Sequence, residues 1–373
     1  MPRKSLLTPV VSESSWHPHF KQLLDGPLRA PTRTALEDLF QDFVDVDGGK
    51  FVKDFQTAGF DARLFELFLD CVFRFEGYRR DVEYARPDFV LSGRGYEFCV
   101  EAVTLNPTGG KPLPPFDASE LAPRADGEND LERLHLTPVL MHEALTKKLS
   151  KRYWDLPHVR GKPLIIALQN FSERFSLGHS SNPLIHLLYG IDFQMAPGTP
   201  SRSRVRHVEL HTHERGGRAV PSRFFEDPEN RYISAVLFTN TGTISKFTRF
   251  EYRRNRARYP QISAVIRYGE RHVHGPEAFL PEPFIHRVGE DGTNESWCEG
   301  LTVLHNPSAA YPLDHLSLPG VSHVVRTPEG ELLTYVPEFH PYWSHTSIHR
   351  GGSVEDVVQR LWKVLRDVRR PRE

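Results

Sequence analysis

The run PLIIALQ at residues 163–169 constrains the fold more than any other stretch of this sequence. It is an almost continuous apolar segment of strand length, a pattern typical of a β-strand that is buried on both faces. Such a strand requires a layer of structure on each side of its sheet. The elements predicted around it come in the order helix, strand, strand, helix, strand. The sequence therefore predicts an α/β fold with a mixed central sheet.

Two carboxylates fall on neighbouring predicted strands within residues 60–104, where an apolar helix is followed by PDFVL, SGRG and YEFCVEAVT. If Ser92–Gly95 form the turn, Asp88 lies across from Cys99 and Glu101 is its diagonal neighbour on the same face. Diagonal neighbours have Cα atoms roughly 7–8 Å apart, which is within reach of these side chains. Two converging carboxylates suit a hard divalent cation, because such ions prefer oxygen ligands.

Composition excludes several classes of protein. The chain has 47 Lys and Arg against 48 Asp and Glu, so any surface that binds nucleic acid must be local. Its 3 cysteines form no CxxC pair, which argues against a zinc ribbon and fits a reducing compartment. No apolar run approaches the ~18 residues that span a membrane, and the apolar region of the N-terminus is too short for a signal peptide. We therefore expect a cytoplasmic protein with no membrane association.

The chain divides into three segments by composition and pattern. Residues 1–58 are predicted as an N-terminal arm, rich in Pro, Ser and His, that ends in a helix. Residues 59–190 form the predicted α/β core. Residues 191–373 are predicted as a β-rich extension of the first sheet, closed by a helix at Val354–Val368 and packed on the core.

A long loop and a helix are predicted within the core segment. Residues 106–130 are rich in Pro, Gly, Asp and Glu without apolar periodicity, which indicates a loop or lid beside the two carboxylates. A helix is then predicted to start at Thr137, with Pro138 at its first position, and to run to about Trp154.

The helix carrying Glu66, the segment PDFVL and the segment VEAV together resemble the PD-(D/E)xK, or restriction-endonuclease-like, nuclease superfamily over about residues 60–170. The resemblance implies that Asp88 and Glu101 bind Mg²⁺ or Mn²⁺, with the Ala102 carbonyl as a further ligand and Glu66 supporting a second ion. It implies metal-dependent hydrolysis of phosphodiester bonds, with DNA as the expected substrate. The cation would neutralise charge on the phosphate and lower the pKa of its bound water.

The lysine that this superfamily places two residues after the glutamate is replaced here by Val103. Some members of the superfamily carry that lysine on a neighbouring helix, and the helix from Thr137 offers three candidates. At about 100° per residue, Lys148 borders the packed face of that helix, whereas Lys147 and Lys151 point largely away. Lys148 is therefore the predicted replacement, with its stem packed on the core and its ammonium group reaching the carboxylates.

A second interpretation is that the protein is a catalytically inactive nucleic-acid-binding or assembly protein on the same fold. Val103 favours this alternative, and Lys148 favours the enzyme. Glu66 is also open to two interpretations, because it shares a polar helical stripe with Arg63 and Asp70 that solvent alone would explain.

A basic stretch at residues 246–258, KFTRFEYRRNRAR, interleaves arginines with aromatic residues. Arg253, Arg254 and Arg256 are the predicted nucleic-acid contacts, because aromatic rings stack on bases and guanidinium groups hold phosphates. An exposed strand with a solvated face explains the same pattern. A protein partner or a homodimer also remains open.

Two smaller features allow a functional or a structural interpretation. Gln169 and Asn170 end the apolar strand, where they would contact a phosphate or cap the strand end. His211 and His213 form an HxH pair, but the rest of a zinc-binding motif is missing, so we expect a half-exposed strand there.

Overall fold

The computed structural model describes residues 5–107, 128–172, 176–178, 180–195, 205–274, 281–290 and 292–369. None of the helices in these ranges is long and apolar enough to cross a membrane. The α-helices are α1 (Pro18–Asp25), α2 (Ala30–Asp42), α3 (Lys50–Gln56), α4 (Phe60–Phe75), α5 (Glu128–Leu149), α6 (Asn182–Tyr189), α7 (Ile244–Asn255) and α8 (Val354–Arg369).

The β-strands form one large sheet and several small ones. The strands are β1 (Arg79–Arg80), β2 (Phe89–Gly93), β3 (Tyr96–Leu105), β4 (Leu164–Asn170), β5 (Ile191–Met195), β6 (Val205–Glu209), β7 (Thr212–Arg215), β8 (Arg218–Pro221), β9 (Ala235–Thr239), β10 (Ala264–Arg271), β11 (Glu282–Arg287), β12 (Leu301–His305), β13 (Ser322–Arg326), β14 (Leu332–Tyr335) and β15 (Pro341–His349). The large sheet has 8 strands in the order β1-β2-β3-β4-β9-β12-β13-β14. It is mixed, because β4 runs parallel to β3 and β9 whereas β2 runs antiparallel to β3.

Strand β4 is buried along its whole length, which confirms the prediction made from its apolar run. Ile165 and Ala167 pack into one apolar core with residues of α4, while Ile166 and Leu168 pack into a second core with residues of α5 and α6. The two cores lie on opposite faces of the sheet because successive strand residues point to opposite sides. The predicted α/β class with a mixed central sheet is confirmed.

The hairpin that carries the two carboxylates has a different register from the predicted one. Gly93 pairs with Tyr96, so the turn consists of Arg94 and Gly95 alone, both with positive φ, at 53° and 84°. Two successive residues with positive φ form the type of two-residue turn whose twist matches that of the strands it joins. The prediction that Ser92–Gly95 form the turn, with Asp88 across from Cys99, is therefore wrong by two residues. A shift of two residues keeps every side chain on its predicted face.

The exposed strand considered for the basic stretch 246–258 is also wrong, because residues 244–255 form helix α7. β-branched and aromatic residues favour strands on average. Tertiary burial decides otherwise here: Phe247 and Tyr252 are buried in two different cores, and the Thr248 hydroxyl lies 2.6 Å from the hydroxyl of Thr32 on α2.

The later strands only partly extend the large sheet as predicted. Strands β9 and β12 to β14 belong to it, but β10 pairs with β11 and β15 in a separate sheet of 3 strands. Helix α8 occupies nearly its predicted range and packs on this smaller sheet through Val357, Leu361 and Leu365.

Two further predictions need correction near the N-terminus and in α5. Residues 18–25 of the supposed arm form helix α1, and Phe20 is fully buried in the first core. Helix α5 begins at Glu128 and ends at Leu149, so Pro138 lies inside it and not at its first position. The predicted lid at 106–130 falls mostly on residues 108–127, which lie outside the described residues.

Candidate functional site

Asp88 and Glu101 lie side by side at the open end of the β2–β3 hairpin. Phe89 pairs with Val100, so one further step along the two strands sets Asp88 opposite Glu101. The Asp88 amide donates to Glu101 Oε2 at 3.3 Å, and the Ala102 amide donates to Asp88 Oδ2 at 2.7 Å. The pair predicted from the sequence is thus brought together, as direct neighbours and not as diagonal ones.

Glu101 is buried in the middle of β3 with only 5% of its surface exposed. Its Oε1 atom accepts a hydrogen bond from Lys148 Nζ at 2.5 Å and another from the Tyr153 hydroxyl at 2.7 Å. These two donors offset the cost of burying a carboxylate, because buried charges require partners. They also fix the orientation of the carboxylate so that Oε2 faces Asp88.

The three candidate lysines differ as the helical angles predicted. Lys148 is half-buried and reaches Glu101, whereas Lys147 and Lys151 are exposed. Val103, at the position of the superfamily lysine, packs against the second apolar core, which includes Met141 of α5. A valine on the strand thus packs against the same apolar core as the helix that delivers a lysine to the glutamate.

Glu66 faces a small pocket that it shares with Asp88. The pocket has a volume of about 10 Å³, which is room for about one water molecule or ion. Arg63 donates to both Glu66 oxygens at 3.0–3.2 Å and also contacts Asp47 at 2.7 Å and Asp54 at 2.8 Å. The side chain of Glu66 is only 13% exposed, so the interpretation as a solvated stripe is wrong for this residue.

The pocket carries an excess of negative charge. Four carboxylates and two guanidinium groups line it, which leaves two negative charges when all are ionised: Asp45, Asp47, Glu66, Asp88, Arg63 and Arg80. Burial, together with the charges of Glu101 and Glu66, raises the pKa of Asp88 well above its ordinary value. Burial likewise raises the pKa of Glu66 to about 6, although Arg63 opposes the shift.

The donor set fits a divalent cation held by few protein ligands. Among the described residues, no group of three or more His, Cys, Asp or Glu side chains forms a complete metal cage. Mg²⁺ does not need one, since it is commonly bound by one or two carboxylates, with water and substrate oxygens completing its shell. Asp88 and Glu101 would supply the carboxylates, and the ion would balance the charge that otherwise raises the pKa of Asp88.

No family model, curated protein or solved structure matches this chain. Membership of the PD-(D/E)xK superfamily therefore stays a prediction, as do the metal-binding roles of Asp88, Glu101 and the Ala102 carbonyl. In the structure, the Ala102 amide donates a hydrogen bond to the Asp88 carboxylate.

The predicted nucleic-acid contacts lie at the end of α7 and just beyond it. Arg254 is exposed, Arg253 donates to the Glu295 carbonyl at 2.9 Å, and Arg256 contacts Glu290 at 2.6 Å. No described residue of the basic stretch 246–258 lines the pocket beside Asp88. The structure does not bring these arginines into direct contact with the carboxylates.

The two smaller features of the sequence are the pair Gln169 and Asn170 and the pair His211 and His213. The Asn170 side chain caps its strand end by accepting from the Ser172 amide at 2.9 Å. Gln169 is fully buried, and neither polar atom of its side chain has a hydrogen-bond partner among the described residues. His213 is buried with its Nε2 atom 2.7 Å from the Ser222 hydroxyl, while His211 is exposed, as expected of a half-exposed segment.

Sequence reasoning missed Tyr153 and Arg80 as members of the site. The predicted helix to about Trp154 would include Tyr153, but α5 ends at Leu149 and Tyr153 opens a 3-10 turn that follows a left-handed Arg152. Arg80 lies in β1, and its guanidinium stacks on Phe89 with its carbon 4.8 Å from the ring centre. The available signal for Tyr153 was its place shortly after a candidate lysine. The signal for Arg80 was the short charged segment before PDFVL.

The strained carboxylate cluster predicts that Asp88→Asn stabilises the metal-free protein. Asparagine keeps an acceptor for the Ala102 amide and removes the charge that burial disfavours. We expect a gain of about 1 kcal/mol in the free energy of unfolding at pH 8 in EDTA, the usual scale when a destabilised functional residue is relieved. Chemical denaturation would measure it, with exposed Glu97→Gln as the control that changes little.

The pH dependence of this gain follows from the direction of the pKa shift. Because the pKa of Asp88 is higher in the folded than in the unfolded protein, its ionisation lowers the free energy of unfolding at high pH. This penalty is absent below the unfolded-state pKa of about 4. The advantage of Asp88→Asn should therefore shrink as the pH falls towards 4. An advantage that is constant with pH would contradict the assignment.

Proposed function

We propose that the chain is a metal-dependent nuclease that hydrolyses phosphodiester bonds, with DNA as its substrate. The observation that carries the proposal is the contact between Lys148 and Glu101, beside Asp88, made by residues from a helix, a strand and the entry to a second strand. An acid pair with one positioned ammonium group can support metal-assisted phosphodiester hydrolysis, with the acids as metal ligands and the cation beside the reacting phosphate.

Each side chain has a role that follows from its contacts. Asp88 and Glu101 would hold Mg²⁺ or Mn²⁺ at the mouth of the hairpin, and Glu66 would support a second ion from the far side of the small pocket. The ion, when bound, supplies neutralisation of phosphate charge and a lowered pKa of its water. Lys148 would orient the attacking water and stabilise negative charge beside Glu101 Oε1.

Tyr153 is a positioning residue in this proposal. Its hydroxyl donates to the same Glu101 oxygen as Lys148, and burial together with that hydrogen bond raises its pKa, so it remains a donor at neutral pH. With Oε1 held by two donors, Oε2 is the oxygen directed to Asp88, and it would be the Glu101 oxygen available to a metal ion.

The first test is cleavage of double-stranded DNA with Mg²⁺ or Mn²⁺ by wild type and by Asp88→Ala. We expect cleavage by wild type, none in EDTA and none by the variant, because loss of a ligand carboxylate removes the ion. Asp81→Ala removes an exposed carboxylate from the segment that leads to Asp88 and is the matched control, which should stay active.

Wild-type cleavage that persists in EDTA would contradict a metal-dependent reaction. No cleavage under any condition, with DNA still bound, would favour the catalytically inactive nucleic-acid-binding protein that Val103 suggests.

The second test compares three lysines on and just beyond one helix. Lys148→Ala should lower the cleavage rate about 100-fold or more, the usual effect of losing a positioned proton-transfer or electrostatic group. Lys147→Ala and Lys151→Ala each remove the same charge from exposed positions and should have little effect. Single-turnover rates and Mn²⁺ affinity would be measured for all three variants.

If only Lys148→Ala lowers the cleavage rate and the variant still binds Mn²⁺, the loss is due to the position of the Lys148 ammonium group and not to the change in net charge. Equal and small losses for all three variants would refute the role of Lys148.

The third test concerns DNA binding by the basic stretch. Replacing Arg253, Arg254 and Arg256 with Glu should weaken DNA affinity and reduce its dependence on salt, because phosphate contacts release counterions. The control replaces three exposed basic residues of α8 with Glu, namely Arg360, Lys363 and Arg366, and so changes the net charge equally. Fluorescence anisotropy over a range of salt concentrations measures both; equal slopes for the two variants would contradict the assignment.

A further inference from the structure

A second cluster of charged residues lies away from the carboxylate site, around α7. Lys246, Arg249 and Arg267 are 0%, 3% and 2% exposed, and all three lie within 3.3 Å of Glu295 Oε1. Arg267 also contacts Glu299 at 2.6 Å. Three buried cations thus share two carboxylates.

This cluster has one positive charge more than it can pair. Arg267 Nη2 is buried and has no hydrogen-bond partner among the described residues. Burial lowers the pKa of Lys246 to about 8, and the charges of Arg267 and Arg249 contribute to that shift. A buried guanidinium nitrogen without a hydrogen-bond partner is costly, so an anion that accepts from Arg267 Nη2 would be favoured.

A pocket of about 310 Å³ opens beside this cluster. Arg249, Arg253, Arg267 and Arg271 line it together with Glu295, Glu299 and Glu338, and Arg271 also contacts Glu282 at 3.1 Å. Its volume is at the lower end of the range for small-molecule sites in proteins.

Aromatic rings form part of the same wall. The Arg253 guanidinium carbon lies 4.9 Å from the centre of the Phe250 ring, and that of Arg267 lies 5.7 Å from the centre of the Phe339 ring. The Phe250 ring is also stacked on Trp297, with ring centres 4.1 Å apart, so a base would meet this part of the wall at the Arg253 guanidinium. Guanidinium groups match the geometry of phosphate oxygens, and their flat faces, like aromatic rings, stack on nucleobases.

We propose that this pocket binds a phosphate monoester of mononucleotide size, with its phosphate on the arginines and its base packed against Phe339 and the Arg253–Phe250 pair. The site is separate from the carboxylate pair, since the two pockets have no lining residue in common. It requires neither a metal ion nor cleavage of DNA.

The test is isothermal titration calorimetry on the full chain in EDTA, with deoxyadenosine 5′-monophosphate, deoxyadenosine and inorganic phosphate as probes. We expect saturable binding of the nucleotide and binding at least about tenfold weaker for the nucleoside, because charge-assisted hydrogen bonds to the phosphate are lost. Inorganic phosphate should also bind more weakly, since it lacks the base. No binding of the nucleotide, or equal binding of either fragment, would overturn the proposal.

Two arginines that are close in sequence provide the matched variants. Arg253→Gln should weaken nucleotide binding about tenfold or more, whereas Arg258→Gln, exposed and outside the pocket lining, should leave it unchanged. Asp88→Asn should also bind the nucleotide like wild type, which separates this site from the proposed metal site. Equal losses for the two arginine variants would refute the pocket as the binding site.

A melting-temperature measurement on the wild type tests the proposal without depending on whether a variant folds. The nucleotide should raise the melting temperature of the wild-type chain, as any ligand that binds only the native state does. No shift at millimolar nucleotide would overturn the proposal even if Arg253→Gln failed to fold.

Discussion

The parallel pairing of β3 with β4 is the constraint on which the rest of the structure depends. Strand β4 has no exposed residue, so both faces of the sheet must be covered, and α4 and α5 provide the layers. Glu101 lies in β3 opposite Ile166, inside this pairing. A carboxylate at that depth is stable only with dedicated partners, and the layer that covers the sheet supplies them through Lys148 and Tyr153.

Asp88 and Glu101 repel each other, and the same negative charge would attract a cation. Asp88 and Glu101 are held together by backbone amides that a hairpin fixes rigidly, so the two like charges have little freedom to separate. In the metal-free protein, burial together with the charges of Glu101 and Glu66 raises the pKa of Asp88. That cost of ionising Asp88 is what would favour capture of a divalent ion, since the cation and the proton compete for one oxygen.

Much of the fold was predictable where one residue pattern allows one structure. The apolar run of β4 and the helical angles that selected Lys148 are of this kind. The hairpin turn was not, because SGRG permits two turns that differ by two residues and leave the alternation of faces unchanged. Helix α7 was missed because Ile, Thr, Phe and Tyr favour strands, while its actual contacts with α2 are distant in sequence.

A lysine on a helix, unlike one on the strand of its glutamate, is placed by the distance between two layers. The ammonium of Lys148 reaches Glu101 only while α5 packs on the sheet, and Val103 belongs to the apolar core that joins these two layers. Substitutions within that core would therefore change the distance between the ammonium group and the carboxylate without touching a charged group.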